Sequence, residues 1–209
     1  MKKAIIILAI CTALLPGGAG IVAWLSRQPQ TWYVQQNTIT PELETLTERA
    51  EYRLTEEFHK IRPEDETWKL RINDALINAW LATRLEDWLT HEQDAEMPPE
   101  IHDPQVHVTP EGVWFAAMVE IEQDDPRPIA LQLAMRIEDG MFVVEPVAIR
   151  LGKVPIPVTV FKQAIEDTRD EVFAVDATAP LMDDRVVDIR SITLEDGALV
   201  LACQTHLPK

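Results

Sequence analysis

The chain has 209 residues, 46% of them hydrophobic, and carries 35 Asp and Glu against 19 Lys and Arg, a formal net charge of −16 at pH 7. That charge repels nucleic acid and anionic bilayer surfaces and suits a soluble exported domain. The length leaves room for a membrane segment and one further domain of roughly 150 to 180 residues.

No charged residue occurs from Ala4 to Leu25, a run that at about 1.5 Å per helical residue crosses a hydrocarbon core of about 30 Å. Residues 1–27 are therefore expected to form an amino-terminal transmembrane anchor, with residues 4–25 in the bilayer. A cleaved signal peptide is the competing reading, with Lys2 and Lys3 as its basic start, Ala4 to Leu15 as its apolar stretch and Pro16 to Gly20 as a small-residue exit. The apolar run continuing through Ile21 to Leu25, and Trp24, Trp32 and Tyr33 as an interfacial belt, favour the anchor. Lys2 and Lys3 before the segment, against Arg27 just after it, place the amino terminus in the cytoplasm and the rest outside. The expectation is a single-pass protein of the cell membrane with a periplasmic domain. A lipoprotein signal at Cys11 is disfavoured by Ile10, where such signals need a small residue, and Cys11 and Cys203 are placed too differently to form a disulfide.

Residues 28–40 are polar and without period, and read as a tether; residues 41–209 read as the exported α+β domain. Thr40 as cap, Pro41 at the first helical position, and Leu43, Leu46, Ala50, Leu54, Phe58 and Ile61 at intervals of three or four predict an amphipathic helix ending before Pro63. Trp68, Leu70 and Ile72 alternate with polar residues in a short strand. Asn73 then caps a second helix, about 74–91, whose apolar face holds Leu76, Ile77, Trp80, Leu81, Leu85, Trp88 and Leu89, with Asn78 turned away from it.

Four alternating segments follow, at about 104–109, 113–122, 129–138 and 141–151, joined by short links that predict an antiparallel meander. The links at Glu138-Asp139-Gly140 and Glu195-Asp196-Gly197 predict type I turns whose glycine takes a positive φ beside a small bulge. A three-residue loop at 138–140 would put Met141, Val143, Val147, Ile149 and Leu151 on the face of Ile129, Leu131, Leu133, Met135 and Ile137. The opposite face would then hold Trp114, Ala116, Met118, Ala130, Phe142, Val144, Pro146 and Ala148; a two-residue loop would shift the pairing. Gly152, Pro155 and Pro157 read as a corner that turns strand into a helix carrying Val160, Phe161, Ala164, Ile165 and Thr168, and residues 185–194 and 198–206 as a last hairpin able to complete the sheet. The fold class expected is α+β: an N-terminal membrane helix, then an antiparallel β-meander of five to seven strands packed by two to three helices.

Catalytic chemistry is not legible. The serines are Ser26 and Ser191 and the cysteines Cys11 and Cys203, none with an activating histidine in its sequence context, and the glycines outside the membrane segment sit singly in turns or at the corner. His102, Asp103 and His107 are close in sequence, but strand alternation sets His102 on the other face from Asp103 and His107. The acidic pairs Glu56-Glu57, Asp124-Asp125 and Asp183-Asp184 read as solvated surface. The chain is read as not an enzyme, with no catalytic residues, no metal site and no cofactor.

Three stretches together, residues 70–89, 106–121 and 135–157 behind one membrane helix, resemble the YpmS-like family of bacterial membrane-anchored extracytoplasmic proteins. In that family an "LN-x-L-I" helix precedes a meander ending in a "G-x-L-P-L-P" corner, matched here by Gly152, Val154, Pro155, Ile156 and Pro157. The resemblance covers about residues 68–165 and implies an elongated sheet-and-helix domain similar to lipid-binding tubular domains of the envelope, with no assigned activity. The function expected is a noncatalytic envelope protein that binds a lipid or other apolar ligand on a sheet face, lined by Trp80, Trp88, Trp114, Met118 and Phe142. The alternative is a scaffold module tethered beside a membrane-protein partner through the rim Lys153, Val154, Pro155, Ile156 and Pro157. Either way the partners are the membrane, through residues 4–25, and a lipid or protein, not nucleic acid.

Overall fold

A computed structural model describes residues 20–35, 38–63, 66–122, 125–157, 159, 174–181 and 185–206. The expected membrane segment 4–25 lies outside the described residues as far as residue 19, and so does the whole of the expected helix after the corner, 160–168. Among the described residues no helix is long and apolar enough to cross a membrane.

The architecture is α+β with antiparallel sheets. Helix α1, Pro41–His59, starts as expected: the Thr40 hydroxyl accepts from the Leu43 N–H at 3.4 Å, and Pro41 opens the helix. Helix α2, Asp74–Glu92, follows strand β1, Thr67–Asn73, without a break. Asn73 occupies the cap position but makes no side-chain cap bond; the first helical N–H, that of Asp74, donates instead to the Gly197 carbonyl at 3.0 Å. The two helices meet through small side chains. Ala50, Thr47 and Ala79 are buried, and the Thr47 and Thr83 hydroxyls are 2.9 Å apart.

The meander forms, but among the described residues it makes one of two sheets. Strands β2 (Ile101–Thr109), β3 (Gly112–Glu122), β4 (Asp125–Glu138) and β5 (Met141–Leu151) pair in chain order, extended by β6 (Val154–Ile156), and β7 (Ala174–Asp176) pairs with β5. The last hairpin does not complete that sheet. Strands β9 (Val186–Glu195) and β10 (Ala198–His206) join β8 (Thr178–Pro180) and the early strand β1 in a second sheet, in the order β1-β10-β9-β8. The reason lies in Trp68, Leu70 and Ile72: their apolar row needs a partner strand with a matching row, and β10 places Cys203, Leu201 and Leu199 directly opposite them.

The link between β4 and β5 is tighter than expected. Glu138 pairs with Met141, so Asp139 and Gly140 alone form the turn, with φ of 50° and 78°. Two successive positive φ values are the mark of a type I′ turn, whose twist matches the strands it joins. The shorter loop moves Phe142 and Val144 opposite Ile137 and Met135, onto the face of Leu131 and Leu133, and a bulge leaves Val147 exposed. The expected grouping of Met141, Val143 and Val147 with that face is therefore corrected, as is the placement of Phe142, Val144 and Pro146 beside Trp114.

The face of Val106, Val108 and Val113 is covered by Ile77 and Leu81 of α2, with Leu194 of the second sheet. The face of Trp114, Ala116 and Ala130 is covered by Trp32 and Tyr33. Residues 28–35 are thus not a free tether, and Trp32 and Tyr33 are part of the core rather than an interfacial belt. The Gln105 carboxamide fixes this segment by donating to the Val34 carbonyl at 2.5 Å and accepting from its N–H at 3.1 Å.

Candidate functional site

The corner at 150–157 has a structural task. Leu151 pairs with Val154, so Gly152 and Lys153 form a tight hairpin that folds β6 back on β5 instead of leading directly into a helix. Gly152 has φ +55°, and a Cβ there would lie 2.4 Å from the Leu25 carbonyl oxygen and 2.5 Å from that of Ser26. Only glycine lets the incoming chain approach so closely. Lys153 N–H donates to the Leu25 carbonyl at 3.0 Å, and Gln30 Nε2 donates to the Gly152 carbonyl at 2.5 Å. Asp125 adds an ionic clasp, pairing with Arg27 at 3.0 Å and Arg127 at 2.7 Å; the hydrogen bond from Arg127, then that from Arg27, holds its carboxyl below the usual carboxylate range. In the rim, Lys153, Pro155 and Pro157 are exposed and Val154 and Ile156 half-buried. Residues 20–25 are helical, and Ile21, Val22 and Trp24 project into solvent from them.

The five residues expected to line one apolar groove do not converge. Trp114 and Met118 lie beneath Trp32 and Tyr33, with Arg150 stacked 4.7 Å from the Trp114 ring centre. Phe142 is on the opposite face of the same sheet, between Ile137 and Val175. Trp80 and Trp88 are on α2, edge to face with ring centres 6.0 Å apart. The residues of the "HDPQVH" stretch are each placed apart: His102 is exposed, Asp103 takes φ 53° at a bulge in β2 and accepts the Tyr33 hydroxyl on its carbonyl at 2.8 Å, and His107 contacts Asp74 at 3.1 Å under the Trp32 ring. Among the described residues no group of three metal-ligating side chains comes together.

What does form is a cleft of 410 Å³ between α1, α2 and β1, a size ordinary for a binding pocket. Its wall is Leu54 of α1, Leu70 and Ile72 of β1, and Leu76, Ile77 and Trp80 of α2. Of the expected lining, Trp80 alone belongs to it. The other wall residues read as plain core positions in the sequence; the available signal is that β1 has no hairpin partner and so stands open to becoming a sheet edge. Glu51 and Glu57 at the mouth are already paired, Glu51 with Arg84 at 3.4 Å and Glu57 with Lys60 and Arg62 at 2.5 and 2.6 Å. The Lys60 hydrogen bond draws the Glu57 carboxyl below its ordinary value. Arg53 and Lys69, also at the mouth, carry no ion pair among the described residues.

A larger hollow of 580 Å³ beside α2 and the start of β2 has a mixed wall that includes Glu86, Asp87 and Asp103. It offers neither a continuous apolar surface nor a converging polar set. No protein-family model matches this sequence, and no curated protein matches it.

Proposed function

We propose that the chain is a noncatalytic binding module held at the outer side of a bacterial cell membrane by residues 4–25, and that its working surface is the cleft between α1, α2 and β1. The observation that carries this reading is the apolar cleft wall of Leu54, Ile72, Leu76 and Trp80, each only half-buried, around the buried Leu70. The membrane placement is supported by the uncharged run from Ala4 to Leu25, by the exposed Ile21, Val22 and Trp24 that continue it, and by the resemblance to the YpmS-like family. Docking of residues 25–34 on the β2–β5 sheet would then hold the domain against the membrane rather than let it swing.

For a lipid or other acyl ligand the five expected lining residues offer no single sheet-face site, because Trp32 and Tyr33 cover Trp114 and Met118 while Phe142 lies on the opposite face. The same ligand class finds a smaller seat in the cleft, and this is the second reading. Protease treatment of spheroplasts tests the placement: the domain should be digested while the chain fractionates with membranes, and a protected or cytosolic domain would overturn it. Native mass spectrometry of the purified chain tests the ligand class, with copurifying acyl chains favouring the second reading.

A further inference from the structure

Strand β1 is the edge of its sheet, and the register shows which of its backbone groups are free. Asp74 N–H donates to the Gly197 carbonyl, so with Asn73 opposite Ala198 the ladder bonds to β10 fall on Ile72, Leu70 and Trp68. The N–H and C=O groups of Lys69 and Arg71 therefore point outward, into the cleft that both residues line. No hydrogen bond satisfies them among the described residues, and no strand flanks β1 on that side.

An acyl chain in this cleft would press hydrocarbon against bare peptide groups, which costs free energy because their hydrogen bonds to water are lost without replacement. An extended peptide would pair with them and complete the sheet. Its side chains would alternate: one set over the apolar wall of Leu54, Leu76 and Trp80, the other beside the exposed Lys69 and Arg71, the latter already bridged to Glu195. At the mouth of the cleft the uncompensated charge is positive, from Lys69 and Arg53, in a chain of net charge −16. A second copy of this chain pairing edge to edge would set Lys69 and Arg71 against their own kind, and like charges directly opposite each other disfavour pairing.

We propose that the β1 edge receives an extended segment of a partner protein, in which apolar and acidic residues alternate, as an added strand. The proposal rests on the cleft being the working surface and names its occupant. Strand β1 spans seven residues, Thr67–Asn73, so the segment would be about 20 Å long.

The test uses the full chain in lipid nanodiscs and a labelled seven-residue peptide alternating valine and glutamate, followed by fluorescence anisotropy. Binding should fall at least tenfold when the peptide's backbone is N-methylated at alternate residues or its glutamates are replaced by lysine. In Lys69→Glu the preference should reverse toward the lysine peptide, and the Lys69 and Arg71 amides of the wild-type chain should exchange more slowly with peptide bound. Laurate is tested in parallel. Binding of laurate but not of the peptide would overturn the added strand and leave the cleft reading intact, whereas binding of neither would overturn both. Peptide binding indifferent to N-methylation, or to charge reversal at residue 69, would also overturn the proposal.

Discussion

The carboxamide of Asn78 hydrogen-bonds both backbone groups of Val106, its Nδ2 donating to the carbonyl at 2.8 Å and its Oδ1 accepting from the N–H at 2.6 Å. A side chain on α2 thus takes the place of a neighbouring strand at the outer edge of β2. This edge is closed where that of β1 is open.

Asn78→Ala should leave two peptide groups of the buried Val106 unsatisfied, each costing about 1–3 kcal/mol. The loss of stability should be about 2–4 kcal/mol, a fall in Tm of roughly 10 °C for a chain of this size. Thermal unfolding followed by circular dichroism would check it. An unchanged Tm would show that solvent replaces the carboxamide.

Gly152→Ala forces a methyl group into the carbonyls of Leu25 and Ser26 and also strains a φ of +55°. We expect a loss of about 3 kcal/mol or more, together with early proteolysis between residues 25 and 35 as that segment lifts from the sheet. Limited trypsin digestion read by mass spectrometry gives the order of cuts. A variant that is destabilised but still protected there would place the strain elsewhere.

Burial, then the nearby Asp103 carboxylate, push the Tyr33 hydroxyl well above the ordinary tyrosine value. The folded protein therefore holds this proton more tightly than the unfolded chain does. The associated stability is complete below about pH 10, where both states are protonated, and is lost as pH rises beyond it, where the unfolded chain ionises first. Denaturant midpoints measured between pH 8 and pH 11 should fall in the wild type and fall less in Tyr33→Phe. Equal slopes would contradict the assignment.

Cys203 is 1% exposed, opposite Trp68 in the second sheet, and burial raises its thiol to about 11. With little thiolate and no access it should resist maleimide at pH 7.5 for hours, then react within minutes in denaturant. Peptide mapping distinguishes its label from that on Cys11. Rapid labelling of the native chain at Cys203 would mean that β10 opens readily.

Local patterns carried the elements. The periodicity of Leu43 to Phe58 and of Leu76 to Leu89, the Thr40 cap and the strict alternation of Ile129 to Ile137 are short-range features, and helices and strands formed there within a few residues of expectation. The turn chemistry was legible in kind but not in length. Asp139-Gly140 suits either a two-residue or a three-residue loop, and that single residue decides which face Phe142 occupies.

The sequence by itself determined the helices at 41–59 and 74–92, the longer strands, the antiparallel meander and the acidic character, because these depend on neighbours within about one turn or one hairpin. The tertiary structure decided that the described strands divide into two sheets, that Trp32 and Tyr33 cover the Trp114 face of one of them, that Gly152 admits the chain at Leu25, and that β1 ends as an open edge beside a cleft. Those outcomes pair residues more than seventy positions apart, such as Trp68 with Cys203 and Tyr33 with Trp114. Apolar rows of similar length compete for the same partners, and shape and register complementarity between them, not local pattern, selects the pairing.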